Sequence, residues 1–229
     1  MSKVLSFLKK YGLKIGVGMI LILGISFLWY TSEYYRADAE ALSVLSKSYV
    51  IEHNDYIELK ADSDVGLIFY PGGKVEAYAY LVLLDSIRNE GVNVFLVKMP
   101  FKLAVFNINA ATSILESHSN INKWYIAGHS LGGAMASQYL DKNADKFDGL
   151  IQLSAYPLND KEEHVLIMFG SKDGVLDLDK MKNLNTFVIE GGNHAYFGNY
   201  GEQEGDGVAS ISRASQQAIT VQAISDFIK

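Results

Sequence analysis

Short, continuous apolar runs recur from residue 65 onward, and segments with apolar residues at helical spacing separate them. A continuous apolar run is typical of a strand buried on both faces, and strands that alternate with helices form parallel sheets. The pattern therefore predicts an α/β fold in which helices cover both faces of a mostly parallel sheet. The predicted strands are 65–70, 93–98, 123–127, 149–154, 165–169 and 186–190, and the predicted helices are 75–89, 110–117, 130–140, 176–182 and 213–228.

A hairpin is predicted before the first of these strands. Residues 49–52 and 56–60 alternate apolar and polar side chains around His53-Asn54-Asp55, which adds antiparallel strands at one edge of the sheet. In open sheets of this kind, ligands bind at the carboxyl ends of the strands. The residues that directly follow each strand are therefore the candidates for a functional site.

Composition excludes several kinds of site. The chain has no cysteine, which excludes disulfides, a thiol nucleophile and cysteine-based metal sites. The first 30 residues carry four lysines and no acid, so the rest of the chain carries 16 basic against 26 acidic residues. A body this acidic is a poor partner for a polyanion, and we predict that it does not bind nucleic acid.

The amino-terminal segment has the composition of a membrane span. Residues 15–30 carry no charge. Together with residues 13 and 14 they would form a helix of about 27 Å, close to the ~30 Å hydrocarbon core of a bilayer. The four lysines precede the uncharged run and acidic residues follow it. The positive-inside rule then predicts a cytoplasmic amino terminus and an extracytoplasmic body.

These features predict four segments along the chain. Residues 1–12 form a cytoplasmic basic tail, 13–30 a single-pass transmembrane anchor, 31–47 a juxtamembrane helix or linker, and 48–229 the α/β domain. Two alternatives for the apolar segment stay open. It could be a cleaved signal peptide, since Ala37-Asp38-Ala39 has the form of a cleavage site, or it could be a buried helix. The oligomeric state is not predicted.

The predicted strand 123–127 leads into Gly128-His129-Ser130-Leu131-Gly132, a G-x-S-x-G pattern that opens a predicted helix. In this context the pattern is typical of a sharp strand-to-helix turn that lifts a nucleophilic serine above the sheet. Small residues are needed on both sides of Ser130, because side chains there would collide across the turn. The alternative is a serine that only caps the helix.

A serine nucleophile needs a base and an acid that orients it, which follow the serine along the chain in this type of turn. Asp173 and His194 each come shortly after a predicted strand, in that order. We predict Asp173 as the acid and His194 as the base. Asp160 is the competing acid, with Asp177 and Asp179 as weaker alternatives.

The predicted oxyanion hole consists of two backbone N–H groups. One belongs to Leu131, directly after the serine, and the other to the loop after strand 65–70, where we choose Gly73, with Gly72 or Lys74 as alternatives. Phe101 and Leu103 are predicted to line a substrate pocket, or else to be ordinary core.

The acidic segment 198–207 could be either an active-site flap or a solvated loop. The spacing of its acids fits no known metal cage, and no metal site is predicted.

The GHSLGG, SKDG and GGNH motifs together resemble the alpha/beta-hydrolase superfamily over residues 48–229. More narrowly, FYPGGKV, VKMPFKLAVF and GGNHAYFGNYGEQEGDG resemble a compact bacterial branch, similar in scale to dienelactone hydrolases. The resemblance implies a catalytic triad of Ser130, Asp173 and His194 and no cofactor. Only 43 residues lead from the serine to the acid, too few for the cap domain of many relatives.

The expected function is therefore that of a membrane-anchored serine hydrolase of the carboxylesterase or lipase type. Its substrate would be a small molecule with a carboxylic ester, lactone or thioester bond. The alternatives are an acyltransferase that uses the same triad and a non-catalytic binding protein on a hydrolase scaffold.

Overall fold

The computed structural model describes residues 2–157 and 164–229. It divides the chain into two compact units, one that extends to Tyr34 and a body that comprises Tyr35–Lys229. The first unit consists of helix α1, Ser2–Ser32. Within it, the 23 residues Lys10–Ser32 are long and apolar enough to cross a membrane. At ~1.5 Å per residue they extend for about 35 Å, more than the ~30 Å of a bilayer core.

The body is built on one eight-stranded sheet in the order β1-β2-β4-β3-β5-β6-β7-β8. β2 pairs antiparallel with β1 and β4, and the other neighbours pair in parallel. The predicted α/β class and the edge hairpin are therefore confirmed. The strands are β1 Val50–Glu52, β2 Tyr56–Leu59, β3 Val65–Tyr70, β4 Asn93–Val97, β5 Lys123–His129, β6 Gly149–Leu153, β7 Val165–Gly170 and β8 Phe187–Ile189.

Helices cover both faces of this sheet. The α-helices of the body are α2 Ala39–Ser43, α3 Leu81–Asn89, α4 Ala111–Ser117, α5 Leu131–Leu140 and α6 Arg213–Ile228. Short 3-10 turns occur at Val44–Ser46, Ala77–Tyr80, Pro100–Lys102, Ala104–Phe106, Ile108–Ala110, Ala144–Lys146, Leu178–Met181 and Ala195–Phe197.

Side chains alternate across β3, as expected for a strand with a period of two. Leu67 and Phe69 belong to the apolar cluster that includes residues of α3 and α6. Ile68 and Tyr70 belong to the cluster that includes residues of α4 and α5. The central strands are thus buried on both faces, which explains their continuous apolar sequences.

Two segments differ from the prediction. The helix predicted over 75–89 begins later, because Val75 bridges to Tyr35 and the N–H of Glu76 donates to the Tyr35 carbonyl at 2.9 Å. The residues before the helix are thereby held extended. The helix predicted over 176–182 is only the 3-10 turn Leu178–Met181.

Residues 35–47, predicted as part of a juxtamembrane linker, pack as part of the body. The N–H of Tyr35 donates to the Lys74 carbonyl at 2.8 Å, and the side chain of Asp38 forms an ion pair with Arg213 at 2.8 Å. Val44 is buried in the core beside α3. Apolar burial and these paired polar groups hold the segment against the body, so residues 35–47 do not form a free linker.

Candidate active site

Ser130 lies between the end of β5 and the start of α5 in a strained conformation, with φ 52° and ψ −123°. A non-glycine residue rarely adopts such a positive φ, and strain of this kind costs about 1–3 kcal/mol. The flanking glycines are required by close packing. A Cβ on Gly128 would lie 2.5 Å from the backbone of Gly132, and one on Gly132 would lie 2.2 Å from the Tyr70 carbonyl oxygen. The turn therefore holds a half-buried serine at the carboxyl edge of the sheet.

Ser130 and His194 line the same cleft, which has a volume of about 330 Å³. The cleft lies beside the carboxyl ends of β5 and β6 and the start of α5. Most of its wall is apolar. The other lining residues are Leu131, Ala134, Ser154, Ala155, Tyr156, Val175, Leu176 and Asp177.

Asp173 and His194 form a buried pair. Asp173 Oδ2 lies 2.9 Å from His194 Nδ1, and both side chains are almost wholly excluded from solvent. The other carboxylate oxygen accepts hydrogen bonds from the N–H groups of Val175 at 2.9 Å and Leu176 at 2.8 Å. Burial alone would raise the pKa of Asp173, but His194, together with other hydrogen bonds to the carboxylate, outweighs burial and holds the pKa below its ordinary value. The carboxylate is thus fixed in its charged form.

The second ring nitrogen of the histidine is available for proton transfer. His194 Nε2 is buried and makes no hydrogen bond within the described part of the chain. The structure therefore brings Ser130 and His194 to one cleft but forms no hydrogen bond between them. Catalytic hydrogen bonds often shorten only when the substrate is bound.

Asp177 also lines the cleft, but neither it nor Asp179 is hydrogen-bonded to His194, and the third alternative lies outside the described ranges. Asp177 is half exposed, accepts the N–H of Asp179 and pairs with Lys180 at 3.4 Å. The side chain of Asp179 is 82% exposed and pairs with Lys182. Asp160 lies outside the described residues. Of the described candidates, Asp173 is the one whose carboxylate meets the His194 ring.

In the loop after β3, Gly73 lies between two residues whose backbone N–H groups are already hydrogen-bonded. The N–H of Gly72 donates to the Tyr80 hydroxyl at 3.0 Å, and the N–H of Lys74 donates to the Lys102 carbonyl at 2.8 Å. These bonds occupy the amides on both sides of Gly73. A Cβ on Gly73 would lie 2.9 Å from Leu131 Cδ2, so the loop runs directly beside the residue after the serine. Leu131 is the first residue of α5, where an N–H has no acceptor within the helix.

The two residues predicted for the substrate pocket do not line this cleft. Phe101 has a φ of 55°, is 46% exposed and packs edge-on against Phe106. Leu103 is buried next to Gly73, within 3.7 Å of the position of a Cβ there. Instead, the residues after β6 and β7, namely Tyr156, Val175 and Leu176, form the apolar wall.

His129 is a buried residue of the site whose contacts sequence reasoning missed. Its Nδ1 lies 2.8 Å from the Tyr80 hydroxyl, and its Nε2 lies 3.1 Å from the His194 carbonyl oxygen. Burial, followed by the nearby His194 ring, lowers the pKa of His129 well below its ordinary value. No sequence pattern predicts these contacts, because Tyr80 and His194 are far from His129 along the chain.

Within the described ranges, no group of three or more potential ligands could hold a metal ion. The remaining histidines lie away from the cleft. His53 Nε2 lies 3.1 Å from Glu58, and His118 Nε2 faces the other oxygen of the same carboxylate at 3.9 Å. His164 stacks on Phe227.

Comparison with known proteins agrees with this architecture. The chain is similar to the monoacylglycerol lipase of Paleococcus ferrophilus, with 14% identity and a TM-score of 0.57 over 78% of this chain and 99% of the lipase. It is similar to the dienelactone hydrolase of Anabaena variabilis, with 14% identity and a TM-score of 0.56 over 75% and 89% of the two chains. For Est1E from Butyrivibrio proteoclasticus the identity is 16% and the TM-score 0.54, over 78% and 96%.

At these identities the structural likeness shows the fold alone. A search of curated proteins finds no similar sequence. The alpha/beta hydrolase family model, however, matches residues 66–218, well over half of the chain. This confirms the resemblance carried by the GHSLGG, SKDG and GGNH motifs, and the chain belongs to the alpha/beta hydrolase family.

Proposed function

We propose that this protein is a membrane-anchored serine hydrolase that cleaves carboxylic ester, lactone or thioester bonds through an acyl-serine intermediate. One observation carries the proposal. A single cleft contains a serine in a strained strand-to-helix turn and a histidine that is bonded to a buried aspartate. A serine alcohol is a weak nucleophile unless an adjacent base takes its proton. A protein that only binds its ligand has no need of all three groups together.

In the proposed acylation step, Ser130 Oγ attacks the carbonyl carbon of the substrate while His194 Nε2 accepts the hydroxyl proton. Asp173 holds the ring through Nδ1 and stabilises the imidazolium that forms. The N–H groups of Leu131 and Gly73 donate to the oxyanion, and one such donor contributes about 2.7–4 kcal/mol to the transition state. The tetrahedral intermediate then expels the leaving group, which takes the proton from His194.

Deacylation repeats these roles with water. His194 Nε2 removes a proton from the water molecule, the hydroxide attacks the acyl carbon, and the bond to Ser130 Oγ breaks as the serine regains its proton. An alcohol in place of water would make the protein an acyltransferase. No feature of the described cleft singles out an acceptor alcohol, so hydrolysis is the reaction that we propose.

The dimensions and chemistry of the cleft support a small or medium-sized acyl group. Its volume of about 330 Å³ lies near the lower end of the range of small-molecule sites, and its wall is mostly apolar. The monoacylglycerol lipase and the dienelactone hydrolase among the similar structures support an ester or lactone substrate. Phe101 and Leu103 lie outside the cleft, and the proposal gives them no contact with the acyl group.

The membrane part of the proposal rests on α1. Lys10–Ser32 has the length and apolar character of a bilayer span, and lysines precede its uncharged stretch. The positive-inside rule favours a cytoplasmic amino terminus and an extracytoplasmic body. Protease treatment of intact cells tests the orientation, because the body should be digested while the cell membrane is still closed. A body that is protected until the cells are lysed would reverse it.

A fluorophosphonate probe tests the catalytic part. The probe should label the full-length protein in detergent and release its fluoride as it bonds to Ser130 Oγ. Ser130→Ala should not be labelled, whereas Ser154→Ala, which changes the other serine of the cleft, should retain labelling. If the intact protein is not labelled, the catalytic proposal fails, and labelling that survives Ser130→Ala would place the nucleophile elsewhere.

A further inference from the structure

The carboxylate of Asp206 accepts hydrogen bonds from four backbone N–H groups. Oδ1 accepts from Gly174 at 3.1 Å, from His194 at 3.1 Å and from Gly207 at 2.8 Å. Oδ2 accepts from Ala195 at 2.9 Å. One side chain therefore joins three loops: the acid loop after β7, the histidine loop after β8, and its own segment 198–207.

The backbone around Asp206 packs closely on the acid loop. A Cβ on Gly207 would lie 1.9 Å from the Lys172 carbonyl oxygen, and one on Gly174 would lie 2.6 Å from the Gly205 carbonyl oxygen. Gly205 itself has a φ of 82°. Side chains at these positions would push the two loops apart, so the glycines on both sides of Asp206 permit its carboxylate to reach both loops.

These bonds lie directly beside the groups of the proposed triad. Gly174 follows Asp173, and the histidine that donates to Asp206 through its main chain is His194 itself. The two triad residues stand on different loops, and only a 2.9 Å contact joins their side chains. The Asp206 carboxylate fixes both backbones on which that contact depends.

Asp206 also differs from the other acids of its segment. Glu202 and Glu204 are exposed, whereas Asp206 is partly buried and turned towards the two loops. Among the residues that the structure describes, no lysine or arginine forms an ion pair with Asp206. Its charge is instead met by four amide dipoles, an arrangement of charge-assisted hydrogen bonds that is stronger than neutral ones.

We propose that Asp206 is a positioning residue that holds the acid and histidine loops in the arrangement in which His194 Nδ1 meets Asp173. The inference rests on the proposed serine hydrolase function for its effect on turnover. Asp206 acts through the backbone of His194 and does not touch the substrate. Segment 198–207 thereby supports the active site through Asp206.

The test compares Asp206→Asn and Asp206→Ala with Glu202→Gln in the full-length protein in detergent. Glu202→Gln removes the same charge from the same segment but leaves the loops joined. Asp206→Asn keeps one acceptor oxygen and places an NH2 group against a backbone donor, so it should fold with the loops displaced. We expect it to lower kcat by about 10- to 100-fold, the size of effect of a misplacement of about 1 Å. KM should change less than about twofold, because the wall of the cleft is untouched.

A second measurement monitors the contact between His194 Nδ1 and Asp173 directly. In proton NMR, the hydrogen between His194 Nδ1 and Asp173 should give a downfield signal that His194→Ala removes. Asp206→Asn and Asp206→Ala should shift or broaden this signal, and Glu202→Gln should not. An Asp206→Asn variant with wild-type kcat, or one with lowered kcat and an unchanged signal, would overturn the proposal.

The NMR comparison does not require enzyme turnover. It therefore tests the positioning role of Asp206 separately from the serine hydrolase function. If the wild-type protein is not labelled by fluorophosphonate, the serine hydrolase function fails. The imidazole signal in the Asp206 variants still decides whether this carboxylate positions the histidine.

Discussion

The hydroxyl of Tyr80 lies 2.8 Å from Nδ1 of His129, and both side chains are buried. The direction of this bond follows from its neighbours. The His194 carbonyl can only accept, so His129 Nε2 carries the hydrogen and donates to it. In a neutral ring Nδ1 then accepts, the Tyr80 hydroxyl donates to it, and the hydroxyl oxygen accepts from Gly72 N–H. A continuous hydrogen-bond chain therefore links the loop after β3 to the histidine loop.

Tyr80→Phe should weaken both stability and turnover. The ring is retained, but Gly72 N–H and His129 Nδ1 lose their partner inside the core, and a buried unsatisfied group costs about 1–3 kcal/mol. Because Gly72 adjoins the proposed oxyanion donor Gly73, kcat should also fall. Urea unfolding followed by near-UV circular dichroism measures the first effect, and steady-state kinetics on a soluble ester measures the second.

Tyr139→Phe is the matched control for this change. Its hydroxyl is hydrogen-bonded to Thr112 at 2.8 Å, in the core but away from the cleft. The control should lose stability without a fall in kcat per folded molecule. Equal kcat values for the two variants would mean that the Tyr80 chain has no part in the site.

The buried His129 should make the protein less stable as the pH falls. The pKa of the folded ring lies well below 6.5, because burial disfavours its charged form. Below pH 6.5 the unfolded ring takes up a proton that the folded ring does not. Folding stability is then lost by up to about 1.4 kcal/mol per pH unit, until the pH reaches the lowered pKa of the folded state. Above pH 6.5 this contribution does not change.

Comparison with His129→Gln isolates this contribution from those of the other histidines. Glutamine can donate to the His194 carbonyl and accept from Tyr80, but it does not titrate. The free energy of unfolding, measured from urea titrations at pH 7.5 and 5.5, should fall more in the wild type than in the variant. Equal losses would show that His129 is not held neutral in the folded protein.

The parts of the site that the sequence predicts are those fixed by local chain geometry. The turn at Ser130 needs glycines two residues before and after it, because a Cβ at Gly128 or Gly132 would meet backbone atoms. A strand must precede that turn and a helix must follow it, and both leave a clear apolar pattern. The prediction of Asp173 as the acid has the same kind of basis, since this residue comes shortly after the end of β7.

The parts that the sequence did not predict depend on contacts between distant loops. Tyr80 and Asp206 bond to groups that belong to other loops, and no periodicity encodes such pairs. The apolar segment after β4 predicts a pocket wall at Phe101. The cleft is instead lined by Tyr156 and Val175, which follow β6 and β7. Which apolar loop faces the serine is decided by packing at the sheet edge.

Asp173→Asn should lower kcat strongly without unfolding the protein. An asparagine keeps the size of the side chain but presents its NH2 group or a neutral oxygen to the imidazole. It no longer selects the tautomer in which Nε2 accepts the serine proton. The same change in a serine protease triad lowers kcat by about 10⁴-fold, and we expect a loss of that order here.

Asp160→Asn is the control for this assignment, because Asp160 is the competing acid in the sequence. It should have kinetics close to the wild type. The rates of ester hydrolysis of both variants, normalised to folded protein, decide between the two aspartates. If Asp160→Asn were the more damaging change, the acid of the triad would be Asp160.

The amino-terminal helix should remain attached to the mature protein. The cleavage-like sequence Ala37-Asp38-Ala39 is folded into the body. Asp38 caps α2 by accepting the Ala41 N–H at 2.9 Å and pairs with Arg213 at 2.8 Å. Cleavage after Ala39 would remove this cap, worth about 1 kcal/mol, together with the bridge from Tyr35 to Val75. A peptidase would also have to displace the segment from these contacts with the folded body.

Intact mass measurement of the protein extracted from membranes checks this expectation. The mass should match the full 25.3 kDa chain, and alkaline extraction should leave the protein in the membrane fraction. Asp38→Ala tests the physical reason, because loss of the cap and the ion pair loosens the segment. It should make the Ala39–Glu40 bond more sensitive to added protease than in the wild type. A mature wild-type protein that begins at Glu40 would show that the helix is a signal peptide.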